Sequence, residues 1–184
     1  MRVITGTKRG RKLKTPDGFE VRPTTDKVKE SIFSIVQFAI PGAAVLDLFA
    51  GTGQLGIEAL SRGANKCLFI EKSAKVSQLL EENINLCGFG DRSVIKRGEA
   101  AAFLKNCPYR FDIAFLDPPY DSNLLNECLP LVASVMADNG IVIAEHDGKF
   151  FPDDIYGENL KLIKQYRYGG IFLSKFVSGG EETE

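Results

Sequence analysis

The chain of 184 residues holds one histidine, two methionines, four cysteines and no tryptophan, and it has no long apolar run. Each shortage removes a class of protein. Crossing a bilayer as a helix takes about twenty consecutive apolar residues, and Lys8, Arg9, Arg11, Lys12 and Lys14 interrupt the region where a signal peptide's apolar segment would have to lie. A cytoplasmic protein is expected. Cys67, Cys87, Cys107 and Cys128 stand apart without paired spacing, and His146 is the single histidine. A disulfide framework and a zinc site are therefore not expected, and no metal is assigned. Internal repeats and low-complexity segments are also absent. With 44% hydrophobic and 26% charged residues, the chain can bury a core but has no room for two ordinary domains.

A net charge of only −1 argues at first against a polyanionic partner, but the distribution points the other way. Residues 1–30 hold nine Lys or Arg against four acids, so this end is +5 and the remainder −6. Such asymmetry suits contact with a nucleic-acid backbone, and Arg9, Arg11, Lys12 and Arg22 are the candidate contacts. A solvated arm without a partner is the bland alternative. Gly6, Gly10 and Gly18 punctuate this stretch, which favours a hairpin or loop over a helix. The expected division is a basic arm over 1–23, assigned no cofactor contact, one catalytic domain over 24–178, and a disordered acidic tail over 179–184.

Asp117-Pro118-Pro119-Tyr120 directly follows the apolar run 111–116. Two consecutive prolines fix φ and remove two backbone donors, so the segment must be a rigid loop at a strand's end. There Asp117 and the proline carbonyls are hydrogen-bond acceptors suited to an amino group, and Tyr120 offers a stacking face for a flat base. A surface turn is the alternative. A second motif lies upstream, where the strand Val45-Leu46-Asp47-Leu48 runs into Gly51-Thr52-Gly53 and a helix. Gly51 and Gly53 allow a tight turn and close ligand approach, and the helix-opening amides point towards the ligand. Read literally, Gly51, Gly53 and Gly56 with Glu71 downstream also match a dinucleotide fingerprint. Asp47 and the Asp-Pro-Pro-Tyr loop are not needed by a nicotinamide site, and together they favour another cofactor.

The two motifs resemble those of S-adenosylmethionine-dependent methyltransferases that modify exocyclic base amines. The whole chain is similar to one branch, the bacterial RsmD family, through Met1–Gly6, Arg9–Leu13, Arg22-Pro23-Thr24, Lys27–Phe33, Glu71-Lys72 and Glu145-His146-Asp147, a match running to about Val177. Lys27 and Lys29 stand where arginines are common, and Glu99 where aspartate is usual. The resemblance implies a class I, Rossmann-like fold and methylation of the N2 amine of a guanine in 16S ribosomal RNA, free or in an assembling small subunit, by a monomer. It further implies a cofactor site at Asp47, Gly51, Thr52, Gly53, Glu71, Glu99 and Ala100. Asp47 would reach the methionine portion directly or through water, Glu71 would accept the ribose hydroxyls, and Glu99 the adenine amino group. Asp117, Pro118, Pro119 and Tyr120 would hold the base. Arg22 is placed near the cofactor carboxylate or the target nucleotide.

The rest alternates strands and helices. Helices are expected over 24–38 with Thr24 as cap, and over 53–62, 73–87, 99–106 and 123–136, the last kinked or split at Pro130. Strands are expected near 45–48, 66–70, 93–97, 111–116 and 140–145, followed by a hairpin of 161–168 and 171–177. This predicts a mostly parallel seven-stranded sheet covered on both faces, with an antiparallel C-terminal hairpin. His146 reads as a satisfied structural histidine, and Phe49 and Phe115 as core. Two other functions remain open, a DNA adenine methyltransferase and a nicotinamide-dependent oxidoreductase.

Overall fold

A computed structural model describes residues 1–16, 23–119 and 123–179. The elements run α1 (Pro23–Val36), β1 (Ala44–Asp47), α2 (Gln54–Ser61), β2 (Lys66–Glu71), α3 (Ala74–Cys87), β3 (Ser93–Arg97), α4 (Ala100–Lys105), β4 (Phe111–Leu116), α5 (Leu124–Val132), β5 (Met136–Asp147), β6 (Ile155–Tyr156), β7 (Leu160–Tyr168) and β8 (Ile171–Ser178). They form one sheet of order β3-β2-β1-β4-β5-β8-β7-β6. The first five strands are mutually parallel and the last three pair antiparallel. Among the described residues no helix is long and apolar enough to cross a membrane.

Helices on both faces explain why the central strands read as nearly continuous apolar runs. Val45 and Leu46 are neighbours on β1 yet belong to opposite cores, because side chains alternate along a strand. One core gathers Val28, Ile32 and Phe33 of α1 with Ile57, Leu60, Leu80 and Phe115. The other gathers Leu104, Leu125, Leu129, Val142 and Phe176. Phe115 is accordingly a core residue.

Several elements differ from expectation. Eight strands replace seven because Ile155 and Tyr156 pair with Lys161 and Leu160 at the outer edge, a contact too short to leave a periodic signal. Helix α5 ends at Val132 with Pro130 in its last turn, and a 3₁₀ turn over Ala133–Val135 follows. Strand β5 then begins at Met136, with a register shift against β4 between Phe111 and Ile113 and a positive φ at Asn139. Helix α1 starts at Pro23, a residue suited to a first turn. Thr24, expected as the cap, thus lies within the helix. The tail over 180–184 lies outside the described residues.

Residues 1–16 fold back on themselves through one antiparallel bridge, Arg2 to Lys12. Val3 and Leu13 are buried in the first core. Two side chains far along the chain hold this segment. Glu58, fully buried on α2, accepts from the Ile4 and Thr5 amides at 2.7 and 2.9 Å. It also pairs with Arg62 at 2.8 Å and with the buried Lys29 at 3.8 Å. Lys29 donates to the Arg2 carbonyl at 2.6 Å, so it belongs to the molecule's interior and not to an exposed basic face. Burial pushes its ammonium pKa down, and Glu58 and Asp26 partly offset this. Asn83 on α3 accepts from the Lys14 amide and donates to the carbonyls of Lys14 and Thr52.

Candidate active site

The chain fills β1, β2 and β3 in one direction and β4 and β5 in the other, so the switch point falls between β1 and β4. In such sheets the carboxyl ends of the strands on either side of the switch diverge and leave a crevice. A cavity of about 650 Å³ lies there, lined by the ends of β2 and β5 and by the loops after β1, β3 and β4. That volume suits a single small ligand, for which roughly 300–1,000 Å³ is usual.

Of the residues singled out from the sequence, Gly51, Thr52, Glu71, Glu99, Ala100, Asp117, Pro118 and Pro119 line this cavity. Tyr120 and Arg22 lie outside the described residues. Arg9, Arg11 and Lys12 are exposed on the N-terminal segment and away from the cavity lining. Gly51 has φ +53, and a Cβ there would enter open space on the cavity side. Gly53 is different: at φ +85 its Cβ would collide with Leu80 and Ile57. It serves the turn and the packing beneath it and does not line the cavity.

Asp47 lies behind the cavity wall. It is 2% exposed, does not line the cavity, and its Oδ2 accepts from the Gly56 amide at 2.9 Å. The carboxylate sits at the N-terminus of α2, where the helix dipole favours negative charge, and it holds the helix to the strand. Burial pushes its pKa up to about 7, against the pull of the Gly56 hydrogen bond. The loop's amides are likewise committed. Gly51 donates to Glu71 Oε2 at 3.0 Å, and Ser73 donates to Glu71 Oε1 at 2.7 Å. Both Glu71 oxygens are pinned by backbone donors, and each retains acceptor capacity. Glu99 precedes α4 and makes no capping hydrogen bond, which leaves its carboxylate at the cavity rim.

Asp117 is exposed and lines the cavity. Burial, and then the negative charges of Glu145 and Asp47, hold its carboxyl well above the usual carboxylate range.

Several lining residues escaped the sequence reading. Gln54 lines the cavity with an amide oxygen that is buried and has no hydrogen-bond partner among the described residues. Phe49, read as core, is half-buried at the wall, and Glu145 reaches it from β5. Met1 and Pro16 also line it, so the N-terminal segment does form cavity wall, contrary to expectation. Only Gln54, the fourth position of the Gly-x-Gly-Gln run, carried a local signal for any of these. His146 is turned into the sheet, with Nε2 at 2.8 Å from Ser174 Oγ and Nδ1 at 2.8 Å from the Asp147 carbonyl. Burial lowers its pKa, as befits a satisfied structural ring.

The family described as Conserved hypothetical protein 95 matches residues 1–177. A Bacillus subtilis relative, provisionally named rRNA methyltransferase YlbH, is 39% identical over 182 residues, covering 95% of this chain and 98% of its own. Ribosomal RNA small subunit methyltransferase D of Haemophilus influenzae is 40% identical over 176 residues, covering 92% of this chain and 89% of its own. The structure of yhhF from Escherichia coli, provisionally a methyltransferase, superposes with a TM-score of 0.86 at 32% identity, covering 98% and 99%. With the fold, the glycine loop and nearly the whole length in agreement, this chain belongs to that family, the RsmD methyltransferases, which share the class I, S-adenosylmethionine-dependent Rossmann-like fold.

Proposed function

We propose that the protein transfers a methyl group from S-adenosylmethionine to the N2 amine of a guanine in 16S ribosomal RNA. One observation carries the choice of cofactor: two amides of the glycine run, which a dinucleotide's pyrophosphate would seek, already donate to carboxylates. Gly51 donates to Glu71 and Gly56 to Asp47, while Glu99, Asp117 and Glu145 line the same cavity. A pyrophosphate would meet like charge there, whereas a cationic sulfonium and an ammonium meet opposite charge. The unpartnered Gln54 oxygen and the open cradle at Gly51 fit the methionine end, and the pinned Glu71 carboxylate fits a pair of ribose hydroxyls. Glu99 and Ala100 take the adenine end.

The bound cofactor supplies an electrophilic methyl group and leaves as a neutral thioether. The protein's part is positioning. Guanine N2 is a weak nucleophile because its lone pair is delocalised into the ring. The Asp117 carboxylate and the Pro118 carbonyl accept its two N–H bonds and turn the lone pair towards the methyl, with the rigid diproline fixing both acceptors in one frame. Tyr120 stacks on the base, which must first leave its helix or loop. Asp47 acts from behind by holding α2 and the glycine loop in register with β1. The excess proton on the methylated amine leaves to water.

Single-turnover methylation of small-subunit ribosomal RNA tests this. Asp117→Ala should slow transfer on the order of a hundredfold, as misplacement of a reacting group does, with cofactor affinity by calorimetry nearly unchanged. A wild-type rate removes Asp117 from its role. Mass mapping of the product must find the methyl on guanine N2; a methyl on another base, or saturable binding of a nicotinamide dinucleotide in place of S-adenosylmethionine, overturns the reading itself.

A further inference from the structure

We propose that the C-terminal hairpin, β7 and β8, is a second RNA-backbone contact surface, nearer the active site than the tip of the N-terminal segment. The proposal rests on the reading of the protein as an RNA methyltransferase. Residues 160–178 contain Lys161, Lys164, Arg167 and Lys175 and no acid. None of the four forms an ion pair among the described residues, whereas Arg2, Lys14 and Lys29 at the other end all do. Lys164 and Lys175 are direct cross-strand partners. Like charges in that position repel, and no carboxylate on either strand relieves them. Aromatic rings hold the cations out: Lys164 Nζ lies 5.1 Å from the centre of Tyr166, and Arg167 lies 5.5 Å from that of Phe172. A planar guanidinium stacked and exposed in this way is suited to a phosphate.

Position separates this surface from the first. Phe172 pairs with His146, the neighbour of Glu145, and Arg167 pairs with Phe172. Arg167 therefore stands two strand spacings, about 10 Å, from the strand whose end lines the cavity, and at the same edge of the sheet. The tip of the N-terminal segment is at the opposite edge. Thr7 and Lys8 bond Ser61 at the far end of α2, and Lys8 stacks over Phe89 beyond the end of α3. Gln54 and Val76, near the starts of those helices, line the cavity. From them the tip is removed by about 10 Å along α2 and about 16 Å along α3. A nucleotide entering the cavity thus brings its flanking phosphates to the hairpin before the arm.

The test compares Lys164→Gln, Arg167→Gln and Lys175→Gln together with the arm variant Arg9→Gln, Arg11→Gln, Lys12→Gln, measuring binding of transcribed 16S ribosomal RNA across a salt series. The hairpin variant should bind at least about tenfold more weakly at low salt, with a salt slope shallower by roughly two to three units. Its cofactor affinity should equal wild type, since none of the three lines the cavity. Arg167→Lys alone keeps the charge and should keep the slope, which separates charge loss from misfolding. Wild-type affinity and slope in the hairpin variant overturn the proposal. So does a defect confined to methylation of protein-bearing subunits with naked-RNA binding intact, which would make the partner a protein. If the wild-type chain shows no salt-dependent RNA binding at all, the methyltransferase reading on RNA fails with it.

Discussion

Residues 1–16 carry six cations and the β7–β8 hairpin carries four, yet the two regions use their polar groups in opposite ways. At the N-terminal end the backbone is drawn inward while Arg9, Arg11 and Lys12 stay exposed: Glu58 takes the Ile4 and Thr5 amides beside Lys29 and Arg62, Asn83 bridges the Lys14 backbone to the glycine loop, and Val3 and Leu13 enter the core. At the hairpin Lys164 and Arg167 face outward over aromatic rings, with no acid on either strand. Net charge is the same in sign, but its consequence for stability is not. A buried charge is costly unless every partner is present, whereas an exposed one can be removed almost freely.

That difference is broken most sharply at Glu58. Glu58→Leu leaves the Lys29 ammonium buried without its carboxylate and two amides without an acceptor, and should cost about 3–5 kcal/mol in urea unfolding. A loss below about 1 kcal/mol would mean that the N-terminal segment is not clamped as described.

On the same side of the molecule, Asp47 makes stability depend on pH. Its folded pKa of about 7 is raised from an ordinary 3.8, so its contribution is complete below about pH 4 and is lost as pH rises through 7. Asp47→Asn should therefore gain on wild type as pH rises from 4 to 8, by roughly 2–4 kcal/mol for a shift of this size. Parallel unfolding profiles for the two proteins would contradict the shift.

Across the site, Glu145 sits on the strand that pairs with the hairpin and acts on rate. In the proposed reaction the ionised Asp117 is the stronger acceptor for the amine, and its raised pKa should place the acid limb of the methyl-transfer profile above the ordinary carboxylate range. Glu145→Gln removes a neighbouring negative charge, lowers the Asp117 pKa and should move that limb to lower pH. An unmoved limb would assign it to another group.

The smallest effect belongs to the hairpin itself. Lys164→Gln with Lys175→Gln relieves a cross-strand repulsion and should leave thermal stability unchanged or raise it by about 0.2–1 kcal/mol. A loss of more than 1 kcal/mol would show that these lysines are structural, like Lys29, and the contrast between the two regions would disappear.

What could be read from the chain follows the range of the interactions. Strands β1, β2 and β4, the glycine turn, the diproline loop and the hairpin each depend on a few adjacent residues, and apolar runs, glycines and prolines announce them. Six of the residues singled out around the two motifs, with Glu99 and Ala100, indeed meet at one cavity. Glu58 and Asn83 gave no such sign, because their partners are backbone groups 53 to 69 residues away. In the sequence each is only a polar residue in a helix.

By itself, then, the sequence determined the order of strands and helices, the two motifs and the family, all properties of local pattern. The tertiary structure alone decided how the charged and polar groups are used. It set Asp47 against the Gly56 amide as a helix anchor, drew Lys29 into the interior and made Met1 and Pro16 part of the cavity wall. The reason is desolvation: whether a charge serves a ligand, an ion pair or solvent depends on what excludes water from it, and that is settled only when distant segments pack.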